Sequence, residues 1–313
     1  MSPASRPVPL RRSELATPAS SEKMFAKAAA SQADLVFLDL EDAVAVSQKE
    51  ASRAKAVRGL TEFDWGHTTR AVRINGLDTH WCHDDIIEVV SGARECLDTI
   101  IVPKVRTARD VWWVGTLLDQ LETKLDLPEN GIRLEVLIED AAALANAEEI
   151  AVSSPRLDAL IFGAGDYSIS TGARVNPNFE PYGDYPGDFW HYARVKIQVA
   201  ARIGGLIAID APYPNYRNPE GYAKESRWAS AIGFSGKWAI HPSQIEIANE
   251  VFAPTEEEVT HARRALEAFR AAEAQGMGAV GLDGALVDSA HVKMSEATLS
   301  RAAQIEAANH ASG

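Results

Sequence analysis

Only two cysteines, Cys82 and Cys96, occur in 313 residues, too few for a disulfide framework, so reduced thiols are expected. Long apolar runs are also missing. None approaches the roughly 20 residues that cross a bilayer, and the opening MSPASRPVPL has Pro and Ser where a signal peptide has an apolar core. A cytoplasmic protein with a loose start and no membrane partner is expected. Positive charge is the third scarcity: 31 Lys and Arg stand against 44 Asp and Glu, a net charge of −13. That balance argues against a nucleic-acid surface, which needs clustered cations. Neither a GxGxxG turn leading into a helix nor a Walker-type phosphate loop is present, and no stretch repeats or is of low complexity.

What is present is the composition of a globular chain, 46% hydrophobic and 24% charged, sufficient to bury a full core. Short strand-like runs alternate with helix-like stretches: RSELAT (12–17), LVFLDL (35–40), RAVRIN (70–75), TIIVPKV (99–105), RLEVLIE (133–139), ALIFGAGD (159–166), GLIAIDAPY (205–213) and KWAIHP (237–242). Runs such as TIIV are apolar at successive positions, as in parallel strands buried on both faces. Between the runs, Val111, Val114, Leu118 and Leu121 make one helical stripe after a Thr107 N-cap, with the pair Trp112 and Trp113 read as helix packing. About eight βα units in about 250 residues predict an α/β fold, the TIM (β/α)8 barrel, with a doubly wound open sheet as the alternative. The barrel is expected over residues 1–252. Residues 253–313, opening with a helix capped by Thr255 and Glu258, are expected to form a small C-terminal helical module.

In such a barrel the chemistry sits at the carboxyl ends of the strands. Those ends bring Glu41, Asp42, Arg73, Asn75, Lys104, Glu139, Asp140, Asp166, Asp210 and His241 to one rim. Carboxylates gathered with few cations raise one another's pKa unless a metal holds them. Magnesium needs only one or two protein carboxylates, which makes Glu139 and Asp166 the candidate ligands, with Glu41 and Asp42 holding its waters. The plain alternative for each acid is a helix cap or an ion pair. Gly163 and Gly165 beside Asp166 permit a close backbone approach. Arg73 offers a planar fork to a substrate carboxylate, or else pairs with Glu41 or Asp42. Lys104 can neutralise the same cluster. THWCHDD (79–85) matches no zinc spacing and reads as a helix start with acids near its positive end.

The stretches RSELATP, MFAKAAASQADLVFLDLEDAV, VRINGLDT, IIVPKV, VLIEDAAALANAEEIA, FGAGDYSIST, GKWAIHPSQIEIANEVFAPT and GALVDSAHVKM are collinear across nearly the whole chain. In them the sequence resembles the citrate lyase beta subunit-like acyl-CoA lyases, most closely malyl-CoA and β-methylmalyl-CoA lyases. The resemblance implies a TIM barrel with a C-terminal lid and Mg²⁺-dependent carbon–carbon chemistry beside a CoA thioester, with Mn²⁺ as a substitute metal. It sets Glu139 and Asp166 on the metal ligands, Arg73 on the arginine that holds the substrate carboxylate, and Asp288 on the lid acid/base. It makes Lys104, Glu41 and Asp42 substrate-facing, and Lys237, Trp238, Ile240, His241 and Pro242 part of the CoA surface. It further implies a homo-oligomer, trimer or hexamer, whose lid serves a neighbouring subunit.

The substrates implied are an acyl-CoA and a small 2-oxoacid, joined or parted as in malyl-CoA, acetyl-CoA and glyoxylate. DAPYPNYRN departs from the DGPFGDFSD type of loop common in that family, which leaves the acyl group open. Hydrolysis of the malyl-CoA thioester, or cleavage of methylmalyl- or citramalyl-CoA, stands as the close alternative. A barrel that binds metal and CoA without turnover is the alternative of a different class.

Overall fold

Eight parallel strands hydrogen-bond in chain order and the last returns to pair with the first, closing a barrel, in the computed structural model, which describes residues 10–311. All but Leu10 of the expected loose start lies outside the described residues. The strands are β1 (Ser13–Pro18), β2 (Leu35–Asp39), β3 (Thr69–Arg73), β4 (Thr99–Val102), β5 (Arg133–Ile138), β6 (Leu157–Phe162), β7 (Ile207–Asp210) and β8 (Gly236–Ala239). Each expected run overlaps one of them, β2, β4, β5 and β7 lie wholly inside theirs, and every strand but β1 stops short of the end of its run. β6, for example, ends at Phe162 because Gly163 turns the chain into a helix over Ala164–Thr171.

Strand period fixes which side chains enter the barrel. Leu35 and Phe37, Ala71, Ile101, Leu137, Ala159 with Ile161, Ile209 and Trp238 pack together inside. The alternate residues, such as Leu38, Val72, Ile100, Val136 and Leu160, pack outward under the helices. Both faces are therefore apolar, which is why the strands read as unbroken runs. Burying a side chain such as Phe37 or Leu35, both wholly enclosed, contributes about 1.5–3 kcal/mol.

The helix over Ala108–Leu125 has the expected stripe, with Val111, Val114, Leu118 and Leu121 buried. Thr107 and Asp110 close its capping box, and Asp110 accepts from the Thr107 amide at 2.8 Å. The tryptophans beside the stripe correct one expectation. Trp112 is 58% and Trp113 37% exposed, because one step of 100° turns them off the buried face.

The described chain forms two compact units, one ending at Phe252 and the other starting at Ala253. In the second, Thr255 and Glu258 cap a helix over Glu256–Glu273 as expected. This unit is more than helical, however. β9 (Ala279–Leu282) and β10 (Ala285–Asp288) form an antiparallel hairpin before the final helix, Ser289–Ala311. Leu282 pairs with Ala285, leaving a two-residue loop of Asp283 and Gly284 with φ of 50° and 85°. Such tight loops need positive φ at both positions, which Asp-Gly tolerates.

No helix among the described residues is long and apolar enough to cross a membrane.

Candidate active site

Asp39 and Arg73 lie opposite each other in the register of β2 and β3 and share the parity of inward-facing Phe37 and Ala71. They meet at the carboxyl-terminal rim. Arg73 donates from Nε to Asp39 Oδ1 and from Nη2 to Oδ2, both at 2.7 Å. Beneath the guanidinium lie the rings of Trp238 at 5.4 Å and Phe37 at 6.0 Å. Burial works against the Arg73 charge, but Asp39, then Glu41 and Asp42, hold its pKa above the usual value. The two-pronged edge expected to meet a substrate carboxylate is thus engaged by Asp39. Only Nη1 faces the rim, 2.8 Å from Glu41 Oε2 and 3.3 Å from Asp42 Oδ2.

Asp39 was not among the strand-end candidates, although its parity with Leu35 and Phe37 was readable. It also shapes the turn after β2 by accepting from the Glu41 amide at 2.9 Å and the Ala43 amide at 3.0 Å. That turn buries the Glu41 carboxylate, whose Oε2 has Arg73 as an ion-pair contact but accepts no hydrogen bond. Burial pushes Glu41 up to about 7, with Arg73 and Lys104 pulling against it.

Lys104, just past β4, has φ of 57°, a left-handed conformation that costs a non-glycine residue about 1–3 kcal/mol. Two bonds go with that strain. The Lys104 amide donates to Glu139 Oε1 at 2.6 Å, and Nζ lies 3.0 Å from Glu41 Oε1 and 3.3 Å from Asp166 Oδ2. Desolvation opposes the ammonium, but Glu41 and then Asp166 keep its pKa raised.

Glu139 follows β5 and is buried against the turn at Gly163, where any Cβ would collide with the Glu139 side chain. Its carboxyl is pushed up to about 8, first by burial and then by Glu41, with Asp166 adding to the rise. Asp166, half-buried, comes from the first turn of the helix after β6. The other glycine, Gly165, makes room for the Phe179 ring.

Glu41 and Asp166 thus share the Lys104 ammonium, Glu41 also faces the Arg73 guanidinium, and Glu139 has only the Lys104 amide. A buried glutamate pushed toward neutrality by neighbouring acids is the electrostatic situation that a hard dication relieves. Among the described residues no three His, Cys, Asp or Glu side chains converge on one ion. The chemistry of Glu139 and Asp166 fits a metal that takes two carboxylates and completes its shell with water and substrate oxygens, as Mg²⁺ does.

Other strand-end acids have structural partners. Asp140 caps the helix at Ala141–Ala145 by accepting from the Ala143 amide at 2.7 Å, and it pairs with Arg106. Asp210 is buried with Arg194 and Lys237. This corrects two CoA assignments. Lys237 is enclosed, with Nζ between Asp210 and Glu225 and above the Tyr222 ring, and Trp238 is part of the barrel interior. Ile240, His241 and Pro242 lie beyond β8 and are exposed. There His241 stacks on Tyr216, ring centroids 4.8 Å apart, with the Arg217 guanidinium 5.7 Å from the Tyr216 ring. Tyr216 and Arg217, from DAPYPNYRN, were missed by the reading of strand ends because they lie well beyond β7.

In the second unit Asp288 ends β10 and opens the last helix. Its Oδ1 accepts from the Ala290 amide at 2.9 Å and lies 2.8 Å from His291 Nδ1. The His291 side chain and the two amides hold the exposed carboxyl below its usual pKa. His291, three residues on, was not anticipated as its partner. The THWCHDD stretch contains no metal trio: Cys82 is buried and its thiol is pushed up to about 12 by burial and then by Asp85. The helix expected there runs over Cys82–Ala93.

A closed parallel barrel with an acidic cluster and a buried arginine at its carboxyl-terminal rim defines a (β/α)8-barrel enzyme. Residues 12–242 match the model of the HpcH/HpaI aldolase/citrate lyase family. An L-malyl-CoA/beta-methylmalyl-CoA lyase of Cereibacter sphaeroides is 40% identical over 97% of this chain and 98% of its own length. A (3S)-malyl-CoA thioesterase of the same species is 36% identical over 95% and 96%. The crystal structure of CitE from Mycobacterium tuberculosis in complex with magnesium, acetoacetate and coenzyme A is 32% identical, with a TM-score of 0.74 over 93% of this chain and 97% of that one. The chain belongs to the HpcH/HpaI aldolase/citrate lyase family.

Proposed function

We propose that the chain is a Mg²⁺-dependent carbon–carbon lyase that reversibly cleaves malyl-CoA to acetyl-CoA and glyoxylate and accepts the β-methyl homologue. The observation that carries this reading is the trio Glu41, Glu139 and Asp166 gathered around Lys104 beside Arg73. The full-length likeness to malyl-CoA lyases and the magnesium and coenzyme A in the CitE complex support the same reading.

Glu139 and Asp166 would hold the metal, with Mn²⁺ as a substitute. When bound, the metal supplies Lewis-acid polarisation of the 2-oxoacid carbonyl. Arg73 Nη1 and Lys104 Nζ supply the positive edge that orients the 2-oxoacid carboxylate. In the synthetic direction Asp288 takes a proton from the acetyl-CoA methyl group. The electron pair of that C–H bond forms the new C–C bond to the glyoxylate carbonyl carbon, and the carbonyl oxygen takes a proton from solvent to become the hydroxyl of malyl-CoA while Asp288 releases its own to solvent. Cleavage reverses each step, with Asp288 returning the proton to carbon. Ile240, His241 and Pro242 are the exposed β8-end residues available to the CoA moiety. Asp288 serves the rim of a neighbouring subunit in a homo-oligomer, trimer or hexamer.

The test is incubation with Mg²⁺ and malyl-, methylmalyl- or citramalyl-CoA, with every product identified by mass. Glyoxylate with acetyl- or propionyl-CoA is expected. Free CoA with intact malate would establish the thioesterase reading, which the likeness to the malyl-CoA thioesterase favours as second.

A further inference from the structure

The turn that carries Glu41 is held from below by a lysine outside the acid cluster. Lys49 opens the helix at Lys49–Thr61 and is buried. Its ammonium donates to three neutral oxygens: the carbonyls of Leu40 and Glu41, each at 3.0 Å, and Asn75 Oδ1 at 2.5 Å. An ammonium has three protons, and all three are committed to fixing two strand ends. A buried cation is costly to desolvate, so ordinary packing gives no reason to prefer lysine at this position over an apolar residue.

The bonds continue behind it. Asn75, just past β3, donates from its amide to Asp85 Oδ2 at 2.9 Å and from Nδ2 at 2.7 Å. Asp85 is wholly buried and its other oxygen accepts from Arg53 Nε at 2.8 Å. Arg53 Nη2 reaches the Trp81 carbonyl at 3.3 Å, and the Trp81 ring lies 5.4 Å from Lys49 Nζ. Two helices are thereby tied to the turns after β2 and β3, and the THWCHDD stretch contributes Trp81 and Asp85.

We infer that Lys49 is a positioning residue which, braced by Asn75, Asp85 and Arg53, fixes the Leu40–Glu41 backbone so that the Glu41 carboxylate stands between Arg73 and Lys104. It acts only through Glu41. The inference rests on the lyase reading, in which that carboxylate borders the substrate.

A double-mutant cycle tests it. Lys49→Met should lower kcat/KM by about 10²-fold, the loss expected when a reacting geometry moves by about 1 Å. Combined with Glu41→Gln it should lose no more than the worse single variant, whereas independent roles multiply. Lys49→Arg, which keeps the charge and donors, should recover part of the loss. Multiplying losses, or full activity in folded Lys49→Met, overturns the inference. If Lys49→Met fails to fold, the same cycle with Asn75→Ala decides in the same terms. If the wild type cleaves none of the thioesters, the functional reading falls. A crystal structure of Lys49→Met, or of Asn75→Ala if that variant alone folds, then decides the inference: a displaced Glu41 carboxylate supports it and an unmoved one overturns it.

Discussion

Glu139 concentrates the site's electrostatics in one side chain, because its burial against Gly163 and its acidic neighbours penalise the same charge. A bound dication removes that penalty. Mg²⁺ at about a hundred times its Kd should stabilise the wild type by about 2.7 kcal/mol, whereas Glu139→Gln should show no Mg²⁺-dependent shift in Tm and no turnover. Thermal melts with Mg²⁺ and with EDTA check this; equal shifts in the two proteins would remove Glu139 from the metal. Arg73 has two tasks, gripping Asp39 and presenting Nη1. Lysine has no planar fork, so Arg73→Lys should lower kcat/KM for the 2-oxoacid by about 10²-fold and leave acyl-CoA affinity nearly intact, as steady-state kinetics with each substrate varied would show. Arg73, Lys104, Glu139 and Asp166 were legible as strand-end charges once a barrel was counted. Asp39 was not, because the end of LVFLDLED offers three acids and only strand parity separates the one that turns inward.

Among the elements, β1, β5 and β8 meet at the lower end of the barrel around Arg11, whose Nε lies 2.8 Å from Glu135 Oε1 and 3.9 Å from Glu14 Oε1. Glu14 is pushed well above the usual carboxylate range by burial and then by Glu135, against the pull of Arg11. The folded chain therefore keeps a proton there that the unfolded chain releases. The stability this contributes is complete below the ordinary carboxylate pKa and is lost as pH rises through the raised folded value. Glu14→Gln keeps an N–H without titrating, so its urea midpoint should fall less than the wild type's as pH rises above the ordinary carboxylate range; parallel profiles would assign the titration elsewhere. The strands were legible because apolar runs of four to six residues recur between helical stripes. Their polar interior was not, since Glu14 and Glu135 look like surface charge until strand closure places them inside. The hairpin of the second unit had a readable mark, Asp-Gly between AVGL and ALVD, which the surrounding glycines obscured. Lys237 and Trp238 were misassigned because the resemblance of a stretch does not reveal which of its side chains face inward.

For the whole molecule, the proposal that Asp288 of one chain serves the rim of another predicts complementation. Asp288→Asn contributes an intact barrel and Glu139→Gln an intact second unit, each dead alone. Glu139→Gln leaves Arg73 in place on the buried Asp39. In a random equal mixture half of the rims and half of the neighbouring acids are intact, so about a quarter of the sites should recover activity. Mixing the two under conditions shown to exchange subunits and assaying glyoxylate release checks this, and persistent inactivity would reject a shared site. Trp238 has a consequence of another kind. Its indole Nε1 donates to Glu14 at 2.8 Å while its ring lies under Arg73, so one chromophore touches both the proton-holding end of the barrel and the catalytic rim. Its emission should shift when a 2-oxoacid draws on Arg73, and drift separately as Glu14 titrates. The substrate-dependent change should vanish in Trp238→Phe, giving a binding signal for the site in which no bond need be made or broken.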